Sequence, residues 1–323
     1  MAIGCVHTEW MFRLAERGVF GGGASVLDLG PQDVQVDRPW MDAACESHLG
    51  SRPEALDLLF EGDRARRNGQ AAFYRLFGAG DYRSADLEDD RADYRLDLND
   101  PPSGLPRFDV VTDFGTAEHV FDIARVLRTV HELLNPGGYA LHVVPVFAFP
   151  NHGFYTANPN LFVEFARANE YRLTDFRYLD NLFVREQLQV KRPGQPFDFD
   201  SLPIRLDDMR DTQHFMTKVV AQYARNLAAT ETRDVLAALN PDLRKDEPFP
   251  SERFHLCFVF DLLFVAMQKP QQHRDLVAPI QNAQGVAPLP GAEGAGGKRG
   301  FWNQVPLLSR AISAAQSIGA RRP

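Results

Sequence analysis

One stretch, Phe108 to Pro145, leaves this chain few folds to choose from. It opens with Phe108, Val110 and Val111, a short apolar run that ends at Asp113, as a buried strand would. Apolar residues then recur at Ile123, Val126, Leu127, Val130, Leu133 and Leu134, the spacing of one helix face. Asn135-Pro136-Gly137-Gly138 stops that helix, because proline cannot continue it and glycine permits the turn. Tyr139 to Val144 is a second strand-like run. Strand, helix and strand in so short a span make a βαβ unit, whose parallel strands need a sheet covered on both faces. The expected fold class is therefore α/β, with a mostly parallel sheet.

The polar cluster Asp113, Gly115, Thr116, Glu118 and His119 falls where the first strand ends and the helix begins. In open α/β sheets that carboxyl edge is where ligands bind. An earlier segment, Ser25 to Gly30 (SVLDLG), reads as the opening strand, followed by the turn Gly30-Pro31-Gln32-Asp33. Tyr82 to Asp86 is the expected second strand and Tyr94 to Leu98 the third. Each brings a carboxylate, Asp86 and Asp97, to the same edge. The competing reading of this acidic region is a solvated loop, with Glu88, Asp89 and Asp90 as close neighbours in register.

The pair FGTAEHV (Phe114 to Val120) and LLNPGG (Leu133 to Gly138), at this spacing, resembles the class I S-adenosylmethionine-dependent methyltransferases. NHGFY (Asn151 to Tyr155) resembles a subgroup that tailors small molecules and glycans. The resemblance spans Ser25 to Tyr178. It implies a Rossmann-like sheet with an antiparallel last strand, S-adenosylmethionine as cofactor, and methyl transfer to an oxygen or nitrogen of a small molecule, such as a sugar or secondary metabolite. It also implies the cofactor residues. Asp28 and Gly30 sit at the first strand end with Gln32 offering an amide, Asp86 at the ribose, Asp97 and Leu98 near the adenine, and Phe114, Gly115 and Glu118 at the turn after the central strand. Asn151, Phe154 and Tyr155 would wall the acceptor. The turn after the first strand departs from the family, which has Gly-x-Gly-x-Gly where this chain has only Gly30. That departure motivates the alternative, a degenerate methyltransferase fold serving as a non-catalytic binding or partner subunit.

Methyl transfer from a sulfonium asks for alignment and for removal of a proton. Histidine titrates near neutral pH and can take that proton. His152 and His119 are the two histidines expected in sheet-edge loops, and both are catalytic candidates. Each has a structural alternative, in which it only hydrogen-bonds its loop. Glu118, His119 and His152 lack the local spacing of a metal site, so no metal is expected.

The remaining chain divides around this core. Residues 1–23 form a leading segment with a helix from Thr8 to Arg17, and 24–180 the core. Residues 181–254 are an inserted helical cap, 255–270 the last strand within His255 to Met267, and 271–323 a flexible tail with a terminal helix. Arg38 to Phe77 reads as helical, with breaks near Gly50 to Pro53 and near Gly69. The helix expected from Asp208 to Ala229 has an apolar face that a cap or a homodimer contact would use. A net charge of −8 argues against a general nucleic-acid partner, which needs a basic face. No apolar run nears the roughly 20 residues of a membrane span. Three scattered cysteines give no disulfide framework, and the first residues make a poor signal peptide. A cytoplasmic setting follows as the expectation.

Overall fold

The structure, a computed structural model, describes residues 3–61, 67–147, 153–179 and 261–280. A seven-stranded sheet runs through it in the order β3-β2-β1-β4-β5-β7-β6. Strands β1 (Ser25–Leu29), β2 (Asp81–Asp86), β3 (Tyr94–Arg95), β4 (Phe108–Phe114) and β5 (Leu134–Phe147) are mutually parallel. Strand β7 (Asp261–Gln268) is antiparallel to both β5 and β6 (Arg172–Leu179). The carboxyl ends of β1, β2, β4 and β5 therefore share one edge. Leu179, the last residue of β6, stands opposite Leu262 at that same edge, next to Pro145 and Phe147 of β5.

Helices cover both faces, as a buried parallel sheet requires. One face carries α1 (Cys5–Glu16), α2 (Arg38–Leu49), α3 (Glu54–Glu61) and α4 (Arg67–Leu76). Trp10, Met11, Leu14, Phe73 and Leu76 from these helices join Val26, Val110, Phe114 and Val143 of the sheet. The other face carries α5 (Ile123–Leu133) and α6 (Pro159–Ala168), whose Val126, Val130, Phe162 and Phe165 meet Leu27, Leu29, Val111 and Val144. Alternation of side chains along each strand accounts for the division.

Local chemistry fixes the helix ends. The Asp37 carboxylate accepts the Trp40 amide at 2.8 Å, Asp122 accepts Arg125 N–H at 2.9 Å, and Asn158 caps α6 ahead of Pro159. Gly50 ends α2 in the left-handed region, as expected of a glycine stop. Gly69, expected to break the chain, lies within α4. The third strand is shorter than Tyr94 to Leu98, because only Tyr94 and Arg95 pair with β2. Leu134 already pairs with Phe108, and the ladder resumes with Tyr139 opposite Val110, so the Asn135–Gly138 turn is an irregularity at the start of β5. The cap expected over 181–254 and the terminal helix lie outside the described residues. Among the described residues no helix is long and apolar enough to cross a membrane.

Candidate active site

Three strand ends converge at the carboxyl edge. Gly30 follows β1 with φ +81°, and a Cβ built there would stand 2.6 Å from Thr116 Oγ1 and 3.7 Å from Asp86 Oδ2. Only glycine fits that backbone at that distance. Thr116 donates its hydroxyl to the Leu29 carbonyl at 2.6 Å, tying the turn after β4 to β1. Asp86, half-buried at the end of β2, accepts the Glu88 and Asp89 amides on Oδ1, at 2.8 and 2.9 Å. Its Oδ2 faces Gly30.

The other predicted cofactor residues are placed differently from one another. Asp28 is fully buried, held by Thr112 Oγ1 at 2.7 Å and the Tyr82 hydroxyl at 3.2 Å. Burial pushes its carboxyl up to about 7, against the hydrogen bonds it accepts. It is a floor beneath the edge. Gln32 is also buried, and its amide closes its own turn by donating to the Gly30 carbonyl at 3.0 Å. Phe114 turns its ring to the opposite face, against His7 and Trp10 of α1. Asp97 is half-buried and accepts both the backbone and side-chain amides of Asn99, which hold its carboxyl below the usual range. Leu98 is buried beside it, and Gly115 follows β4.

The turn after β4 continues as a short 3-10 helix, Ala117–His119. His119 is exposed on it, and partial burial keeps its imidazole below the ordinary value. The Glu118 side chain turns inward and is 2 % exposed. Burial, with the nearby charge of Asp113 adding to it, raises that carboxyl to about 8. The carbonyl of Glu118 accepts the amides of Phe154 and Tyr155, at 2.6 and 3.3 Å, and so seats the loop after β5 directly on this turn. Gly153 makes the approach possible. Its φ is +65°, and a Cβ would lie 2.6 Å from the Glu118 oxygen. Gly153→Ala is expected to lose about 1–3 kcal/mol of stability through that strain. A urea unfolding curve superimposing on the wild type would contradict this seating.

Phe154 is exposed and meets the equally exposed Phe121 edge-on at 6.0 Å. The Tyr155 hydroxyl donates to the Phe121 carbonyl at 2.7 Å. The EHV and GFY segments, distant in sequence, thus form one rim. Asn151 and His152 lie outside the described residues.

Sequence reasoning passed over a buried pair beneath this rim. His142 Nδ1 stands 2.8 Å from Asp113 Oδ2, with each residue 1 % exposed. Asp113 Oδ1 accepts the Thr116 and Ala117 amides, at 3.2 and 3.0 Å. An Nδ1–H given to the carboxylate leaves Nε2 of His142 as a bare acceptor, with no hydrogen-bond partner among the described residues. A cavity of about 10 Å³, the size of one water, adjoins it and is lined also by Glu118, Tyr155 and Phe162. A larger hollow of about 280 Å³ lies at the other end of β2, lined by Arg75, Asp81 and Arg83, away from the strand ends. Among the described residues no three His, Cys, Asp or Glu side chains are grouped to hold a metal ion.

A parallel sheet in this order, with an antiparallel seventh strand and a ligand edge beyond β1, β2 and β4, defines a Rossmann-like methyltransferase fold. The chain belongs to the family described as "Methyltransferase domain", whose profile matches residues 13–188. S-adenosylmethionine is the cofactor that this membership brings. Among solved structures, the YcgJ protein from Bacillus subtilis is 13 % identical over 83 % of this chain and 100 % of its own, with a TM-score of 0.40. The 1,6-didemethyltoxoflavin-N1-methyltransferase of Burkholderia thailandensis, bound to 1,6-didemethyltoxoflavin and S-adenosylhomocysteine, is 14 % identical over 81 % of this chain and 79 % of its own, with a TM-score of 0.36. A fragment described as StiE O-MT is 12 % identical over 84 % of this chain and 76 % of its own, with a TM-score of 0.35. No curated protein matches the chain.

Proposed function

We propose that this methyltransferase acts on an oxygen or nitrogen of a small molecule, at the edge where Gly30, Asp86 and Thr116 meet. That convergence of three strand ends is the observation that carries the reading. The edge fits the cofactor: Asp86 has one oxygen fixed by two amides and the other directed at Gly30, where it can accept a ribose hydroxyl. Asp97 and Leu98 follow β3 on the side where the base would lie. Bound there, S-adenosylmethionine would supply an activated methyl group to the acceptor. The chain orients the acceptor and receives its proton. His119, exposed on the rim, is the described histidine at this edge that could take that proton. Phe121 and Phe154 offer an apolar wall beside it.

The test begins with S-adenosylhomocysteine binding measured by calorimetry. Asp86→Ala removes a charge-assisted hydrogen bond of about 1.5–3 kcal/mol, so affinity should drop about tenfold or more while the fold persists. Unchanged affinity would move the ribose contact elsewhere. The other reading, a non-catalytic partner subunit, draws on the glycine-poor turn, and it predicts no cofactor binding by the wild type. Screening hydroxyl- and amine-bearing small molecules against labelled cofactor then tests the acceptor class.

A further inference from the structure

The turn after β1 has one glycine and a proline, yet it is tied down from outside at several points. Ile3 pairs with it through backbone bonds to Asp33 and Gln35, both at 2.8 Å. Gln70 of α4 donates to the Gln32 carbonyl at 2.9 Å. Arg91, on the loop after β2, ties the turn to a second strand end. Its Nη1 donates to Asp33 Oδ1 at 2.6 Å, and its Nη2 to the Pro31 carbonyl at 3.1 Å. Nη2 also reaches Asp89 Oδ2 at 2.6 Å, and Nε lies 3.0 Å from both Asp89 oxygens. The Asp89 amide in turn donates to Asp86 Oδ1. A continuous chain of polar contacts therefore joins Asp33, Arg91, Asp89 and Asp86, and so joins the turn after β1 to the turn after β2.

We propose that Arg91 is a positioning residue for the cofactor, locking these two turns together so that the Gly30 backbone and the Asp86 carboxylate face one ligand. The inference rests on the reading of Asp86 as the ribose acceptor. A planar guanidinium with five donors suits the task, since it serves two carboxylates and a backbone carbonyl at once; a lysine ammonium presents no such fork. Isolated exposed ion pairs contribute little, but a bidentate pair within a network holds geometry. Geometry is what a binding edge needs, because small misplacements of contact groups weaken ligands severely.

Calorimetry of S-adenosylhomocysteine binding, paired with thermal melting, separates the possibilities. Arg91→Ala should weaken binding about tenfold or more, and Arg91→Lys should recover only part of the loss. Asp33→Ala, which removes the carboxylate link to the first turn and leaves the one to the Pro31 carbonyl, should weaken binding severalfold and add nothing further in the Arg91→Ala background, as expected of coupled residues. It also serves as the working variant if Arg91→Ala fails to fold. A merely structural arginine would lower the melting temperature and leave affinity within twofold, and that result overturns the proposal. So does full recovery by lysine. If Asp86→Ala binds normally while Arg91→Ala does not, the ribose reading falls and takes this proposal with it; weakened binding by Asp86→Ala with normal binding by Arg91→Ala overturns the lock alone. A wild type that binds no S-adenosylhomocysteine sinks both.

Discussion

Asp113→Ala is expected to lose about 3 kcal/mol or more of folding stability, because it leaves three donors without an acceptor at about 1–3 kcal/mol each. The carboxylate has three dependents. His142 Nδ1 loses its acceptor, and the Thr116 and Ala117 amides lose theirs. The adjoining cavity has room for about one water molecule, too few to serve all three groups. The damage would reach the edge, since Thr116 is the residue that ties the turn after β4 to β1. Asp113→Asn keeps an acceptor for the amides and should lose distinctly less. Urea unfolding of the two variants checks the ranking. An alanine variant within about 1 kcal/mol of wild type would mean that the pair does not hold the turn.

The second large effect concerns pH. Glu118 has a folded-state value of about 8, against an ordinary 4.5. Between those values the folded protein keeps a proton that the unfolded chain has released. Stability must then fall as pH rises through this window, by about 1.4 kcal/mol for each pH unit crossed. Below the window the carboxyl is protonated in both states and nothing is lost. Glu118→Gln has no proton to lose. From pH 5 to pH 8.5 the wild type should therefore lose about 3–4 kcal/mol more stability than the glutamine variant. Urea midpoints at several pH values measure the difference, and parallel curves would show that Glu118 titrates normally. Asp28, raised to about 7 by its own burial, would leave a common slope in both proteins.

The fold was legible wherever one element carried its own signal. The helix face from Ile123 to Leu133 and the apolar runs on either side announce the βαβ unit by periodicity alone. Strand ends could be read the same way: the runs expected to end at Gly30 and Asp86 are β1 and β2, whose ends meet. The Asp113–His142 pair was not legible, because it depends on the register between two strands. Nothing local sets Asp113 opposite His142, though both lie on the face shared by Val111 and Val144. Arg91 was hidden for a related reason. Its partners Pro31 and Asp33 come from another loop, and an exposed arginine among aspartates reads as a solvated surface. Gln32 and Phe114 lie at the expected strand ends, but the direction of a side chain is not legible from register alone. The Gln32 amide folds back on its own turn, and the Phe114 ring packs on the face that carries α1.

The meeting of Leu179 with Leu262 has a consequence for how such a chain can change. As far as the sheet is concerned, β6 and β7 are the two arms of a hairpin, whatever length of chain joins their tips. Their register is set by their own ladder and by the pairing of β7 with β5. Closing a longer loop adds only a logarithmic entropy term, about 0.6 kcal/mol for each doubling. The two strands can therefore hold their register, and β1, β2 and β4 their geometry at the ligand edge, whatever number of residues joins Leu179 to Asp261.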